Sequence, residues 1–103
     1  MVPEIDVDEL ARLREQGATL VDVRQPDEWQ EFRVPGAQLL PLAEVAERID
    51  EIPADGTVYV ICKSGGRSAK AVELLRARGV DAVNVAGGSL AWRDAGHAVE
   101  SGP

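Results

Sequence analysis

A chain of 103 residues suits one compact domain, taken here as residues 1–103, because independently folding units run from roughly 50 to 250 residues. With 45% hydrophobic and 28% charged residues, the composition is that of a globular protein and excludes a disordered chain. The net charge of −7 argues against a nucleic-acid partner, and no apolar stretch approaches the roughly 20 residues of a membrane span, so no membrane partner is expected.

The chain has one cysteine, Cys62, and one histidine, His97. A single cysteine excludes an intrachain disulfide, and a lone thiol is typical of a reducing compartment, so we expect a cytoplasmic protein. Zinc and iron–sulfur sites need several thiolates or imidazoles. We therefore expect no metal and no cofactor.

The first part of the chain predicts a helix, a buried strand and a second, short helix. Asp6 is a suitable N-cap for a helix over residues 7–16. Residues 19–23 are mostly apolar, rich in β-branched side chains and bounded by turns, as in a strand that is covered on both faces. Pro26 favours the first turn of a helix over residues 27–31.

The middle of the chain predicts two more strands with a helix between them. A turn at residues 34–37 precedes a brief strand over residues 38–40. Apolar residues then recur at helical spacing, which predicts a helix over residues 42–49. Residues 58–61 form the clearest central strand, and this strand leads directly into Cys62.

The last part of the chain continues the alternation of helices and strands. It predicts a helix over residues 68–78, a strand over residues 82–85, a turn at Gly87-Gly88 and a helix over residues 89–95. Alternating elements of this kind are typical of the α/β class, and parallel strands joined by helices are the simplest assembly.

Cys62 leaves its strand and enters a loop of glycine and basic residues. Ligands of open α/β sheets bind at the carboxyl ends of strands, where this cysteine is placed. Gly65 and Gly66 allow backbone N–H groups to converge on one point, and the following helix adds its positive end. Lys63 and Arg67 add positive charge, so the thiol is expected to ionise easily without a histidine base. Cys62 is the candidate nucleophile, and the candidate substrate-binding residues are Lys63, Ser64, Gly65, Gly66, Arg67 and Ser68.

Basic residues are concentrated around this cysteine. The segment from Cys62 to Gly79 carries +4, which leaves −11 for the rest of the chain. Such a local field attracts small anions. The competing interpretation is a buried cysteine that packs as a small apolar group, as free cysteines usually do. The Gly-rich, cationic turn favours the reactive thiol.

Three stretches of the sequence are more informative together, in their order and spacing, than any one of them alone. They are Asp22-Val23-Arg24-Gln25-Pro26-Asp27-Glu28-Trp29, then Val34-Pro35-Gly36-Ala37, and then Val60-Ile61-Cys62-Lys63-Ser64-Gly65-Gly66-Arg67-Ser68, with Gly87-Gly88 and Trp92 downstream. Together they resemble a single-domain rhodanese, a rhodanese-like sulfurtransferase, over nearly the whole chain. The resemblance implies an α/β, three-layer fold with a central, mainly parallel sheet and helices on both faces.

The resemblance also implies an activity. Cys62 would attack the outer sulfur of a small anionic donor such as thiosulfate, hold that sulfur as a persulfide, and pass it to a thiol, to cyanide or to a sulfur-accepting protein. A thiolate, a cradle of N–H groups and a basic rim would serve these steps.

Two alternatives stay open. Protein tyrosine phosphatases and related arsenate-handling enzymes place five residues between cysteine and arginine, whereas four separate Cys62 from Arg67, and the tighter ring suits a sulfur atom better than phosphate. A regulatory or binding module with the same fold is the other alternative, and it is disfavoured because the cysteine and its loop are complete.

Other residues resemble supporting positions of the family. Asp22 and Arg24 match a D-x-R element whose role is structural, and we expect Arg24 to pair with Asp22 or Glu28. The two tryptophans are expected in the core or in a pocket wall, and His97 on the surface. The chain departs from the family at Phe32-Arg33, where Gly-His is usual, and we expect Arg33 to add charge near the entrance.

Overall fold

The computed structural model describes residues 2–53 and 55–103. Within these residues, strands and helices alternate along most of the chain, as the sequence predicts. The elements are β1 (Glu4–Ile5), α1 (Val7–Glu15), β2 (Thr19–Asp22), α2 (Pro26–Glu31), β3 (Gln38–Leu39), the 3₁₀-helices Leu42–Glu44 and Ile49–Glu51, β4 (Val58–Ile61), α3 (Gly66–Ala77), β5 (Ala82–Val85) and α4 (Gly88–Asp94). None of the helices described is long and apolar enough to cross a bilayer.

The strands form one five-stranded sheet in the order β1-β5-β4-β2-β3. Every described pair of neighbouring strands is parallel, with Val60 of β4 opposite Val21 of β2 and Asn84 of β5. Strand β4 therefore lies at the centre of the sheet, with its carboxyl end between those of β2 and β5. Cys62 follows β4 directly, so the fold places the cysteine in the middle of the sheet's carboxyl edge.

Apolar side chains cover both faces of this sheet. Successive residues of a strand point to opposite faces, so Val60 and Ile61 enter different layers of the core. One layer contains buried residues of α3, namely Ala71, Val72 and Leu75. The other contains Leu10 of α1 and Trp92 of α4. The predicted α/β fold with helices on both faces of a parallel sheet is confirmed.

Helix boundaries follow from local capping chemistry. The Glu9 amide donates to Asp6 Oδ1 at 2.8 Å, which fixes the start of α1 where the sequence predicts it. Helix α3 begins at Gly66 rather than at the predicted Ser68, because Gly65 takes a left-handed conformation (φ +110°) and serves as the N-cap. The cysteine loop is consequently shorter than the sequence suggests.

The predicted helix over residues 42–49 is wrong. Two 3₁₀-helices replace it, and Arg48, at φ −114° and ψ 21°, separates them. The Leu42 amide donates to the Val23 carbonyl at 3.0 Å, and Val45 is fully buried, so packing against the sheet overrides the helical pattern. The sequence does not predict strand β1, because two residues carry too little pattern to identify a strand.

Candidate active site

The thiol of Cys62 is buried, with 1% of the residue exposed. Its surroundings are apolar in part, since it packs with Val60 and Val72 in one layer of the core. The carbon atoms of Cys62 therefore pack as a small apolar group, as the competing interpretation of the sequence expects. The sulfur atom is different, because Sγ accepts hydrogen bonds from the Gly65 amide at 3.1 Å and from the Ser68 hydroxyl at 3.3 Å.

These hydrogen bonds favour the thiolate. Burial raises the pKa of the Cys62 thiol, but the Ser68 hydroxyl and the amides of Ser68, Gly65 and Ser64 outweigh it, so the pKa lies below its ordinary value. The left-handed conformation of Gly65 gives the loop the turn that brings its amide to Sγ. Of the residues predicted to form the cradle, Ser64, Gly65 and Ser68 donate hydrogen bonds to the sulfur, next to the amino end of α3.

Arg67 takes a different position from the one the sequence suggests. Its guanidinium binds the Glu28 carboxylate through two hydrogen bonds, Nη1–Oε1 at 2.7 Å and Nη2–Oε2 at 2.8 Å. Arg67 lowers the pKa of Glu28 to about 2, and Glu28 raises the pKa of Arg67 in turn. The lowered pKa of Cys62 comes from hydrogen bonds, and Arg67 acts on the thiolate only as a more distant charge.

A buried ion pair lies at the end of β2, beside the cysteine strand. Arg24 Nη2 is 2.8 Å from Asp22 Oδ2, and the Arg24 side chain is 1% exposed. The same guanidinium donates to the carbonyls of Glu28 at 3.3 Å and Phe32 at 2.8 Å. Of the two partners expected for Arg24, Asp22 therefore supplies the carboxylate, while Glu28 supplies only its backbone oxygen. Arg24 thus links the carboxylate at the end of β2 to two backbone carbonyls at the carboxyl end of α2.

Residues of β5 and α4 hold the loop from the other side, and the sequence did not identify them as part of the site. The amide of Ser89 donates to the Cys62 carbonyl at 2.8 Å. A Cβ on Gly88 would lie 2.5 Å from that carbonyl oxygen, so only glycine allows this approach. The Asn84 side chain donates to the Gly65 carbonyl at 3.3 Å and to the Glu4 carboxylate at 2.8 Å. The Gly87-Gly88 pair was the only signal in the sequence.

Neither tryptophan belongs to the core layer that contains Cys62. Trp92 of α4 is buried in the core layer that also contains Leu10 of α1, and its indole N–H donates to the Ala98 carbonyl at 2.8 Å. His97 lies at the surface with its side chain 26% exposed, its ring packs on Trp92 with centroids 4.6 Å apart, and its Nε2 lies 2.8 Å from Asp8 Oδ1. Trp29 is partly exposed beneath the Arg33 guanidinium.

Arg33 does not act as a free charge at the entrance. Its Nη1 donates to the Gly102 carbonyl at 2.7 Å and to the Trp29 carbonyl at 3.0 Å, and its backbone pairs with Glu100. The side chain therefore fastens the C-terminal segment to the end of α2. Within residues 2–53 and 55–103, histidine, cysteine and acidic side chains do not gather into a group of three that could hold a metal ion.

Fold and site together define a class: an α/β protein in which a central parallel strand delivers a cysteine into a glycine-containing loop at the amino end of a helix. The family follows from the sequence, since the model of the Rhodanese-like domain matches residues 6–95 and the chain belongs to that family.

Relatives and solved structures agree with this assignment. A protein of Allochromatium vinosum named "Sulfurtransferase" is 40% identical over 95 residues, which cover 89% of either chain. "Probable adenylyltransferase/sulfurtransferase MoeZ" of Mycobacterium tuberculosis is 42% identical over 76 residues, and the match covers 71% of this chain but only 19% of MoeZ. The crystal structure of a rhodanese-like domain protein from Staphylococcus aureus superposes with a TM-score of 0.87 at 36% identity and covers 98% of this chain and 99% of its own.

Proposed function

We propose that this chain, as a single rhodanese domain over residues 1–103, is a sulfurtransferase that carries sulfur on Cys62. The observation that supports this most strongly is the pair of hydrogen bonds from Gly65 and Ser68 to Sγ, which favour an ionised sulfur in a buried place. Thiolates are the nucleophilic form of cysteine. The sulfurtransferase name of a 40%-identical relative points the same way.

The reaction proceeds in two steps. In the first, the Cys62 thiolate attacks the outer sulfur of a donor such as thiosulfate, the bond between the two donor sulfurs breaks, and sulfite leaves with the electron pair. In the second, an acceptor such as a thiol, cyanide or a sulfur-accepting protein attacks the outer sulfur of the Cys62 persulfide and the thiolate is regenerated. Each step is a displacement at sulfur, so no outside oxidant or reductant is needed.

The loop has a separate task in each step. Backbone N–H groups converging on Sγ stabilise negative charge on the thiolate and on the persulfide that replaces it. We assign the donor-binding role to the loop that follows Cys62, formed by Lys63, Ser64, Gly65, Gly66, Arg67 and Ser68. Asp22, Arg24 and Glu28 support this loop and do not touch the donor.

Mass spectrometry of the intact protein tests the proposal. Wild-type protein treated with thiosulfate is expected to gain one sulfur atom, and cyanide is expected to remove it with release of thiocyanate. Cys62→Ser should gain none under the same conditions, and this variant keeps a side chain of nearly the same size. Absence of any added sulfur on the wild type, with thiosulfate and with other sulfane donors, would favour the binding-module alternative. Turnover of a phosphate ester without sulfur transfer would favour the phosphatase alternative.

A further inference from the structure

Three hydrogen-bond donors converge on the Gly65 carbonyl, the group that begins α3. The Ala69 amide donates to it at 3.1 Å, the Asn84 side chain donates at 3.3 Å, and the Ser68 hydroxyl lies 3.2 Å away. A carbonyl oxygen has two lone pairs, so two donors satisfy it. The Ser68 hydroxyl also lies 3.3 Å from Cys62 Sγ and has one proton for the two acceptors. The donors that fill the carbonyl therefore decide where this proton goes.

Asn84 reaches the carbonyl from the neighbouring strand. It belongs to β5, opposite Val60 of β4 and Glu4 of β1, and is 1% exposed. Its Nδ2 donates to the Gly65 carbonyl and, at 2.8 Å, to the Glu4 carboxylate. A carbonyl and a carboxylate only accept hydrogen bonds, so the nitrogen of the amide has to face both. The side chain thus presents a donor to the cysteine loop.

The oxygen of the Asn84 side chain is left without a partner by this arrangement. Oδ1 is buried and accepts no hydrogen bond from residues 2–53 and 55–103. Such orphaned polar atoms destabilise a fold and are few in native proteins. An apolar side chain of similar size would avoid the orphaned oxygen but would offer the Gly65 carbonyl no donor. The contribution of the asparagine therefore lies in its nitrogen and the loop, not in the stability of the sheet.

We propose that Asn84 is a positioning residue: it occupies the Gly65 carbonyl, and the Ser68 proton is thereby left for the nucleophilic sulfur. Without the asparagine, the carbonyl would keep the Ala69 amide as its one fixed donor and would draw the Ser68 hydroxyl toward itself. The sulfur would then lose a hydrogen bond that favours its ionised form. The consequence for sulfur transfer rests on the function proposed above, whereas ionisation of the thiol is measurable without any sulfur donor.

Removal of the side-chain donor tests the proposal. Asn84→Leu replaces the amide by an apolar group of similar size, and Asn84→Ala deletes it. Below the pH at which the wild type reacts at half its maximal rate, both variants should react with iodoacetamide about threefold more slowly, because less of the thiol is ionised. Their maximal rates at high pH should stay within about twofold of the wild type. Profiles identical to that of the wild type would overturn the proposal.

A double-mutant cycle separates this role from a general loss of structure. In the Ser68→Ala background there is no hydroxyl proton to direct, so adding Asn84→Leu should shift the alkylation profile no further. Glu4→Gln is the control, because it changes the other partner of Nδ2, keeps an accepting oxygen and leaves the Gly65 carbonyl alone. This control should shift nothing. Additive shifts from Ser68→Ala and Asn84→Leu would show that the asparagine does not act through the hydroxyl.

The wild-type protein provides a test without any substitution. Asn84 is the only asparagine of the chain, so its side-chain amide can be labelled selectively for NMR. Ionisation of Cys62 should draw the Ser68 proton from the Gly65 carbonyl and strengthen the bond from Nδ2, so the amide resonance should shift with the midpoint pH of alkylation. The Gln38 amide, which donates to a carbonyl elsewhere in the fold, is the control and should not follow that midpoint. An Asn84 resonance that does not respond to the ionisation would refute the proposal.

The two proposals fail in different ways. If the wild type gains sulfur from thiosulfate while Asn84→Leu is alkylated like the wild type, the role of Asn84 is wrong and the sulfurtransferase function stands. If Cys62 gains sulfur from no donor, the function is wrong, and the alkylation profiles still decide the role of Asn84 in ionisation. Should neither Asn84 variant fold, the NMR titration of the wild type decides it.

Discussion

One hydroxyl group has a large share in the chemistry of Cys62. Ser68 is fully buried, and its Oγ lies 3.3 Å from Sγ and 3.2 Å from the Gly65 carbonyl. The hydroxyl has one proton to donate, and an ionised sulfur is the stronger acceptor of the two. Ionisation of Cys62 is therefore coupled to the orientation of the Ser68 hydroxyl.

Replacing Ser68 by alanine is expected to raise the pKa of Cys62, because the largest of the stabilising hydrogen bonds is lost while burial remains. The pH at which iodoacetamide reacts at half its maximal rate measures this pKa, since only the thiolate reacts. The half-maximal pH should be lower in the wild type than in free cysteine, and higher in Ser68→Ala than in the wild type. Ser101→Ala, an exposed serine far along the chain, should leave the profile unchanged.

Glu28 should make stability depend on pH in the acid range. Its pKa is about 2 in the folded protein against an ordinary value of 4.5, so the folded state holds fewer protons and gains stability above that ordinary value. The gain is lost as the pH falls from 4.5 toward about 2, and solvent screening limits it to about 1 kcal/mol. Urea unfolding of wild type and Glu28→Gln over this range measures it. Parallel curves for the two proteins would contradict the prediction.

Among the elements, α4 matters for the site although it contributes no side chain to the thiol. Its first turn packs so closely on the cysteine loop that the amides of Ser89 and Leu90 donate to the carbonyls of Cys62 and Lys63, at 2.8 and 3.1 Å. These bonds fix the two peptide units that follow Cys62, one on each side of Lys63. The loop is therefore positioned by two helices, α3 through its amino end and α4 through its close backbone contact.

Gly88→Ala tests this contact. The added methyl group would lie 2.5 Å from the carbonyl oxygens of Cys62 and Lys63, and φ at this position is +62°, so the loop must shift. We expect a loss of about 2 kcal/mol or more in the free energy of unfolding and slower sulfur uptake. Gly56→Ala is the control, because a Cβ there has open space and φ is not positive. Unfolding in urea and the rate of persulfide formation are the measurements.

Elements with strong local signals could be predicted from the sequence, and contacts between distant residues could not. Asp6 predicts the start of helix α1, and a run of apolar residues predicts strand β4. The 3₁₀-helices depend on contacts with the sheet, and these cannot be predicted from the spacing of apolar residues. The loop around Cys62 is likewise local. The pairing of Arg67 with Glu28 joins residues 39 positions apart, and no periodicity or motif shows which acid an arginine will choose.

On the scale of the whole molecule, the stability of the fold depends on the buried ion pair of Asp22 and Arg24. Both side chains are almost completely excluded from water, and Arg24 also satisfies two carbonyls that end α2. Such a pair adds little when complete, but removal of one member leaves a buried charge without a partner. Removal of one partner is therefore expected to destabilise the protein by more than the complete pair stabilises it.

Asp22→Asn is expected to lower the free energy of unfolding by about 3 to 5 kcal/mol, because it leaves the Arg24 guanidinium buried without a carboxylate. Glu44→Gln is the matched change at an exposed pair, where Glu44 is 2.7 Å from Arg48, and should cost no more than about 1 kcal/mol. Chemical denaturation of both variants measures the difference. Similar losses for the two would show that the Asp22–Arg24 pair is not buried in solution.

The central position of β4 has a consequence for how long sulfur can stay on the protein. The outer strands β1 and β3 are two residues long and can fray, whereas β4 is bonded along both sides and its amide protons should exchange with deuterium only when the whole sheet opens. Under the proposed function, Cys62 shares that protection. The sulfur bound to Cys62 would be shielded from water and from reductants for as long as the protein stays folded. Only a reactant narrow enough to enter the loop could remove it.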